Sequence, residues 1–370
     1  MSAVQKLSDQ QTKAPNVNKD EVRRALEEIA RPLHEKPFVP HRLFTNGHAQ
    51  TLAAFAWPRR RGLRMMEGDQ ARLFEVEPGV QMLAHCRWQK NLKERGTLLL
   101  MHGLEGSSQS IYMLGTTLKA FKAGFNVVRL NQRTCGGTEH LTHTLYHSGM
   151  SGDVRAVVQE LIERDGLSRI FICGFSMSGN IVLKYAGEEA EDIPREISGV
   201  CAVSPSIDLS ASACAIERRE NWIYHRNFMI YLRSRMRRKK KLFPEVYDTS
   251  GLGKVRTMRQ FDERFTAQHG GFDGADDYYT RASALPLISR IRTPTLIIHA
   301  QDDPFIPYEP LKKVAVTGNP FVITLAPPHG GHVGFISNET GVEDRFWAEN
   351  RIVEFCRLIE EQGGIRRDEE

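Results

Sequence analysis

Hydrophobic and polar positions along the chain change period in a regular way. Arg72–Val76 and Val80–Trp88 flank a Pro-Gly turn and read as a hairpin. Short apolar, β-branched runs then alternate with longer stretches of helical period. They run Thr97–Met101 then 110–123, Asn126–Leu130 then 150–164, Arg169–Cys173 then Ser178–Glu188, and Gly199–Val203. After a break the alternation resumes at Thr295–His299 and Phe321–Leu325 and ends in an amphipathic helix near 342–361. Strands that are apolar throughout, separated by helices, predict an α/β fold with a mostly parallel twisted sheet covered by helices on both faces. In such sheets ligands bind beyond the carboxyl ends of the strands. The residues that follow each strand are therefore where chemistry is sought.

The rest of the chain departs from this rhythm. Residues 1–17 read as a polar, disordered tail, and Asp20–Ala30 as a short charged helix. The segment PFVPHRLFTNGHAQT (37–51), punctuated by Pro and Gly, reads as loop. The stretch 206–290 lacks strand–helix alternation, is rich in charge and aromatics, and lies between two sheet strands, which predicts an inserted helical cap. The expected organisation is a tail and short helix over 1–36, a first core segment over 37–205, the cap over 206–290, a second core segment over 291–362 and a tail over 363–370.

Composition changes this picture little. The 370 residues are 41% apolar and 26% charged, which excludes disordered, collagenous and coiled-coil classes. A net charge of +5, from 50 basic and 45 acidic residues, is too near balance to imply nucleic acid. No apolar run is long enough to span a bilayer, and the N-terminus lacks a signal-peptide core, so a cytoplasmic location is expected, with peripheral membrane contact left open. Six cysteines without CxxC spacing, several inside apolar runs, read as buried free thiols. No cluster has metal-ligand spacing and no phosphate-binding loop occurs, so neither metal nor cofactor is expected.

The strand Arg169–Cys173 leads into Gly174-Phe175-Ser176-Met177-Ser178-Gly179-Asn180 and then a helical run. Strand, sharp turn and helix are the setting of a nucleophile elbow, with Ser176 lifted above the sheet edge. A serine hydroxyl needs a neighbouring base. His332, in Gly330-Gly331-His332-Val333-Gly334 beyond a strand end, is the candidate, while its rival His329 reads as a loop-shaping residue. The imidazole needs an orienting acid. Asp303, after the strand Thr295–His299, is preferred, with Asp302 beside it and Asp208 after the preceding strand as alternatives. The chain order Ser176…Asp303…His332 is that of α/β-hydrolases.

Two N–H donors must meet the oxyanion of an acyl-transfer reaction. Met177, following the nucleophile, supplies one, and Leu104 in His102-Gly103-Leu104-Glu105-Gly106 the other. His102 and His147 are candidates for the pocket wall, and a hydrogen-bonded structural role is the competing reading of His102.

The motifs NGHAQT (46–51), HGLEGSS (102–108), NQRTCGG (131–137), YHSG (146–149), GFSMSGN (174–180), DDPF (302–305) and GGHVGF (330–335) are spread over most of the chain, from about 45 to 350. In this combination the sequence resembles the YheT/EMB8-like branch of the α/β-hydrolases, related to ABHD1/ABHD3-type hydrolases. It departs at Ser178 and Thr134, where that branch usually has glycine. The resemblance implies an α/β-hydrolase fold with an inserted cap and Ser176, Asp303 and His332 as the triad. It also implies serine-hydrolase chemistry on short- to medium-chain acyl or lipid esters. Acyl transfer to an alcohol is the alternative, and a non-catalytic binding protein on the same fold is a third reading.

Residues 222–232 (WIYHRNFMIYL) are aromatic and apolar and run directly into RSRMRRKKK (233–241), with seven basic residues in nine. A cap helix with a solvated charged end is one reading, and peripheral contact with an anionic membrane through 222–241 is the other. The expected partner is a small-molecule or lipid ester, with no nucleic acid, and nothing in the sequence specifies the oligomeric state.

Overall fold

The computed structural model describes residues 19–57, 68–339 and 341–362. The expected tails at 1–17 and 363–370 lie outside the described residues. The first helix, α1 (Lys19–His34), extends past the expected Ala30. A correction applies to 37–51. Pro37 and Pro40 do hold the first part irregular, but α2 (Gly47–Ala56) starts inside the segment. Asn46 caps it, its Oδ1 accepting from the Ala49 N–H at 2.9 Å, and the Ala-rich run that follows propagates the helix.

The hairpin forms as β1 (Gln70–Glu77) and β2 (Val80–Arg87). The alternating units follow as β3 (Thr97–Met101), α3 (Ile111–Lys122), β4 (Asn126–Leu130), α4 (Ser151–Glu163), β5 (Ile170–Phe175), α5 (Met177–Glu189) and β6 (Ile197–Val203). Residues 206–290 carry three longer helices, α6 (Leu209–Ile216), α7 (Trp222–Leu242) and α8 (Ala275–Ala282), among shorter turns. Then come β7 (Thr295–Ile298), β8 (Val322–Leu325) and α9 (Trp347–Glu361). The strands form one eight-stranded sheet in the order β1-β2-β4-β3-β5-β6-β7-β8. It is antiparallel at the β1–β2 and β2–β4 pairs and parallel from β4 to β8.

The continuous apolar strands have a direct cause. Successive side chains point to opposite faces, and both faces are buried. Leu99, Met101, Val128, Ile172 and Val200 face one core beneath α4 and α5. Leu98, Leu100, Val127, Cys173 and Cys201 face a second core beneath α1, α3 and α9. Ala284, Leu285 and Ile288, at the end of the expected cap segment, and Ile291 just beyond it pack into the first of these cores. The outer part of that segment has its own cluster, in which Met229, Leu232 and Met236 of α7 meet Tyr247, Leu252, Phe261 and Phe265.

Candidate active site

The turn between β5 and α5 is sharp. Ser176 stands at φ +55°, ψ −116°, a conformation an L-residue adopts only when its surroundings hold it. Its N–H donates to the Val203 carbonyl at 2.8 Å, which pins the turn to β6. A Cβ at Gly174 would lie 2.2 Å from the Ser178 carbonyl oxygen, so only glycine fits where strand and helix meet. Ser178, the departure from the usual small residue, has a partner set of its own. Its hydroxyl donates to the His102 carbonyl at 2.5 Å and accepts from the Gln132 amide at 2.8 Å, tying the elbow to the loops after β3 and β4.

The three residues singled out from the sequence meet here. His332 Nε2 lies 2.9 Å from Ser176 Oγ, and its Nδ1 lies 2.7 Å from Asp303 Oδ2. The other Asp303 oxygen accepts the N–H groups of Phe305 and Ile306 at 3.1 and 2.9 Å. With an ionised Asp303 as acceptor, Nδ1 carries the hydrogen and Nε2 is free to accept from the serine hydroxyl. Burial works against the Asp303 charge, but the nearby His332 and His299 and the Ile306 N–H outweigh it and hold the carboxyl below its ordinary pKa. The Phe305 ring packs on the imidazole, 4.1 Å between centroids.

Neither alternative acid reaches the imidazole. Asp302 accepts from the Gly331 N–H at 3.0 Å and pairs with His329 Nδ1 at 3.0 Å, which makes it a clasp of the glycine loop. Asp208 caps α6, accepting from the Ala211 N–H. Of the two readings of His102, the pocket wall does not apply, since this histidine is not among the cavity-lining residues. It is fully buried, its Nε2 accepts from the Gln132 N–H at 3.0 Å and its Nδ1 faces the Gly103 carbonyl at 2.7 Å, so backbone groups occupy both nitrogens. Burial lowers its pKa to about 4 and keeps it neutral. His147 does line the cavity above Ser176, between Phe272 and Tyr278, and burial likewise lowers its pKa to about 4.

Leu104 follows β3 in the loop facing the elbow, and its N–H has no acceptor among the described residues. Met177 begins α5, where a backbone N–H has no partner within the helix. Beside Leu104, Glu105 sits at φ +56°. Its N–H donates to the Tyr146 hydroxyl at 2.9 Å, and its carboxylate pairs with Arg235 of α7 at 2.5 Å. The Arg235 guanidinium also stacks over the Tyr146 ring, 4.4 Å from its centroid.

Three supports were not identified from the sequence. Thr51 of α2 accepts the His332 N–H at 2.8 Å, and Gln50 bonds the backbone of Ile336 with both ends of its amide, so NGHAQT braces the histidine loop. Arg133 is buried between Asp153 and Glu77 and anchors the loop after β4. The Arg235–Glu105 pair reaches across from the cap segment. Their one sequence signal is a charged or amide residue inside an otherwise apolar or loop motif, which names no partner.

The cavity over Ser176 has a volume of about 110 Å³. Its wall is largely apolar, from Leu104, Met177, Leu209, Ile216, Phe228, Leu232, Met258, Phe305 and Ile306, with Arg235, Asp262, Tyr278 and Tyr279 adding polar groups. The arrangement offers a hydroxyl beside an imidazole, a buried acid that orients it, two N–H groups without acceptors among the described residues, and an apolar enclosure.

Residues 96–339 match the family described as alpha/beta hydrolase fold. YheT of Escherichia coli (strain K12), named an esterase, is 31% identical over 327 residues, which span 85% of this chain and 91% of that one. Monoacylglycerol lipase of Saccharomyces cerevisiae is 30% identical over 276 residues, spanning 72% of this chain and 60% of that one. Among solved structures, the esterase Pf2001 of Pyrococcus furiosus superposes with a TM-score of 0.53 at 17% identity, over 89% of this chain and 98% of that one. Among the described residues no helix is long and apolar enough to cross a membrane. The chain belongs to the α/β-hydrolase fold family, in the esterase- and lipase-like group that includes YheT.

Proposed function

We propose that the protein is a serine hydrolase of carboxylic esters. The observation that carries this reading is the hydrogen-bonded chain from Asp303 through His332 to Ser176 Oγ, opening into an apolar cavity. In this reading Ser176 Oγ attacks the ester carbonyl carbon while His332 Nε2 takes its proton. The Leu104 and Met177 N–H groups receive the oxyanion. Collapse breaks the bond to the alcohol oxygen, and His332 passes its proton to that leaving group. Water then gives a proton to His332 and attacks the acyl-enzyme. The acid leaves, and Ser176 regains its hydrogen. Asp303 holds the imidazole in the required tautomer and remains ionised. The apolar lining suits an acyl chain of short to medium length, or the chain of a lipid ester. The similarity to a monoacylglycerol lipase supports that substrate class.

Intact-mass measurement after a fluorophosphonate probe, with wild type beside Ser176→Ala, tests the reading. A single adduct that maps to Ser176 and is absent from the variant is the expected result. A folded wild type that takes no adduct and hydrolyses no ester overturns it.

A further inference from the structure

We propose that the outer face of α7, continued by α2, is a docking surface for an anionic lipid bilayer. The inner face of α7 is committed: Met229, Leu232 and Met236 are buried, Arg235 pairs with Glu105, and the Lys239 ammonium donates to the carbonyls of Glu139 and Thr142. The opposite face has no such partners. Ile223, Arg226, Ile230, Arg237 and Lys241 recur at helical spacing along one exposed line, with Trp222 and Tyr231, each at least half exposed, at its flanks.

The charge on this face is of one sign. From residue 221 to 244 the chain has no acidic residue. Arg226, Arg237 and Lys241 form no ion pair among the described residues. The apolar line also continues onto a second helix. His48 stacks on Tyr224, 5.7 Å between ring centroids. Leu52 and Phe55, four and seven residues beyond His48, lie on the same side of α2 and are exposed.

These features select the occupant. A helix lying in the plane of a membrane presents Trp, Tyr and Ile to the headgroup boundary and its basic residues to anionic headgroups. A second copy of the chain would instead set Arg226, Arg237 and Lys241 against their own likes. The position fits the use. Tyr224 packs on Phe305, which packs on His332, so the first turns of α7 stand beside the cavity that a lipid ester would enter. That the docked protein hydrolyses such an ester rests on the reading above, but docking itself does not.

Sedimentation of the full chain with vesicles of phosphatidylcholine, or of phosphatidylcholine with one quarter phosphatidylglycerol, tests the proposal. Wild type is expected to bind the anionic vesicles, to leave them at high salt, and to ignore neutral ones. Each basic residue at the surface is worth about fivefold in partitioning, so Arg237→Gln with Lys241→Gln weakens binding roughly 30-fold. Ile223→Ser with Ile230→Ser weakens it further. Both pairs leave hydrolysis of a water-soluble ester unchanged, since none of the four side chains lines the cavity. Ser176→Ala should bind vesicles like wild type, which separates failure of docking from failure of the hydrolase reading. The proposal is overturned by a wild type that ignores anionic vesicles or by variants that bind as well as wild type. It is equally overturned by a wild type that is dimeric until the two isoleucines are replaced, which would assign the face to a second copy.

Discussion

Asp303→Asn isolates the tautomer on which the proposed mechanism depends. The asparagine oxygen can keep accepting the Phe305 and Ile306 N–H groups, because both bonds go to one oxygen of Asp303. Its amide nitrogen then faces His332 Nδ1, where Asp303 Oδ2 now stands at 2.7 Å. An N–H donor there forces Nδ1 to accept, which moves the ring hydrogen to Nε2. That hydrogen points at Ser176 Oγ, and the imidazole can no longer take the serine proton. A reversed tautomer in otherwise preserved geometry costs about 10⁴ in kcat, or ~5.5 kcal/mol on the barrier. The assay is kcat/KM on a short-chain p-nitrophenyl ester, beside the rate of fluorophosphonate labelling, and both should fall together. Stability supplies a second reading. Because the Asp303 carboxyl is held below its ordinary pKa in the fold, its charge stabilises the native state above the unfolded pKa, and that contribution fades as pH falls through the folded value. The melting gap between wild type and Asp303→Asn should therefore narrow in acid. A folded variant that keeps a tenth or more of wild-type kcat/KM would refute the orienting role.

Other substitutions probe the surroundings. Gly103→Ala would place a methyl 3.1 Å from Ser176 Cβ and 3.4 Å from the Phe175 oxygen, displacing the loop that carries Leu104. A loss of about 10²–10³ in kcat is expected, as for removal of one oxyanion donor, and an unchanged kcat would remove Leu104 from that role. Burial raises the Asp262 pKa to about 6, against the hydrogen bonds from Thr266 and Tyr279, so the native state is penalised as pH rises from about 4 through about 6. Asp262→Asn should match wild type in urea unfolding near pH 4 and exceed it by about 3 kcal/mol near pH 7.5; an equal difference at both pH values would contradict this assignment. Arg235→Met strands the Glu105 carboxylate and should cost about 3–5 kcal/mol of stability, with much of it recovered on adding Glu105→Gln. Additive losses in that double variant would mean the pair is not coupled.

The sheet was legible because its strands are buried on both faces. TLLLM, NVVRL and TLII leave no polar phase, and the helices between them show their period. The loop reading of 37–51 failed at Asn46. Proline and glycine marked the irregular part, but a one-residue cap starting a helix was hidden among the same turn-forming residue types. Ser176 and His332 were visible from placement alone, each just beyond a strand. Asp303 was preferred to Asp302, although the two adjacent residues share one placement beyond the strand. Only the backbone direction shows that Asp303 faces His332 while Asp302 faces His329 and Gly331. Arg235 was unreadable for another reason. In a run of seven basic residues nothing distinguishes the two that turn inward, Arg235 and Lys239, and the Arg235 partner Glu105 lies 130 positions earlier.

Among the described residues, six of the seven non-glycine residues with positive φ lie where the chemistry is proposed, and the seventh, Ala190, ends α5. Glu105, Thr134, Ser176, Ser204, Val333 and Phe335 all have positive φ without being glycine, and all sit in loops that leave β3, β4, β5, β6 and β8. Each such residue costs on the order of 1–3 kcal/mol and persists only where its neighbours over-determine it. The restraints are specific. The Ser204 hydroxyl accepts the Val333 N–H at 3.1 Å, the Ser176 N–H is held by β6, and Tyr146 and Arg235 hold Glu105. The last of these differs in kind, because Arg235 belongs to α7 and not to the sheet. The loops that leave β5, β6 and β8 are clamped by the core, whereas those that leave β3 and β4 are held partly from the cap, by Arg235 on Glu105 and by Lys239 on the Glu139 and Thr142 carbonyls. A shift of α7 would therefore loosen the loops that leave β3 and β4, while the hydrogen bonds that hold His332 to α2 and Ser176 to β6 do not involve it.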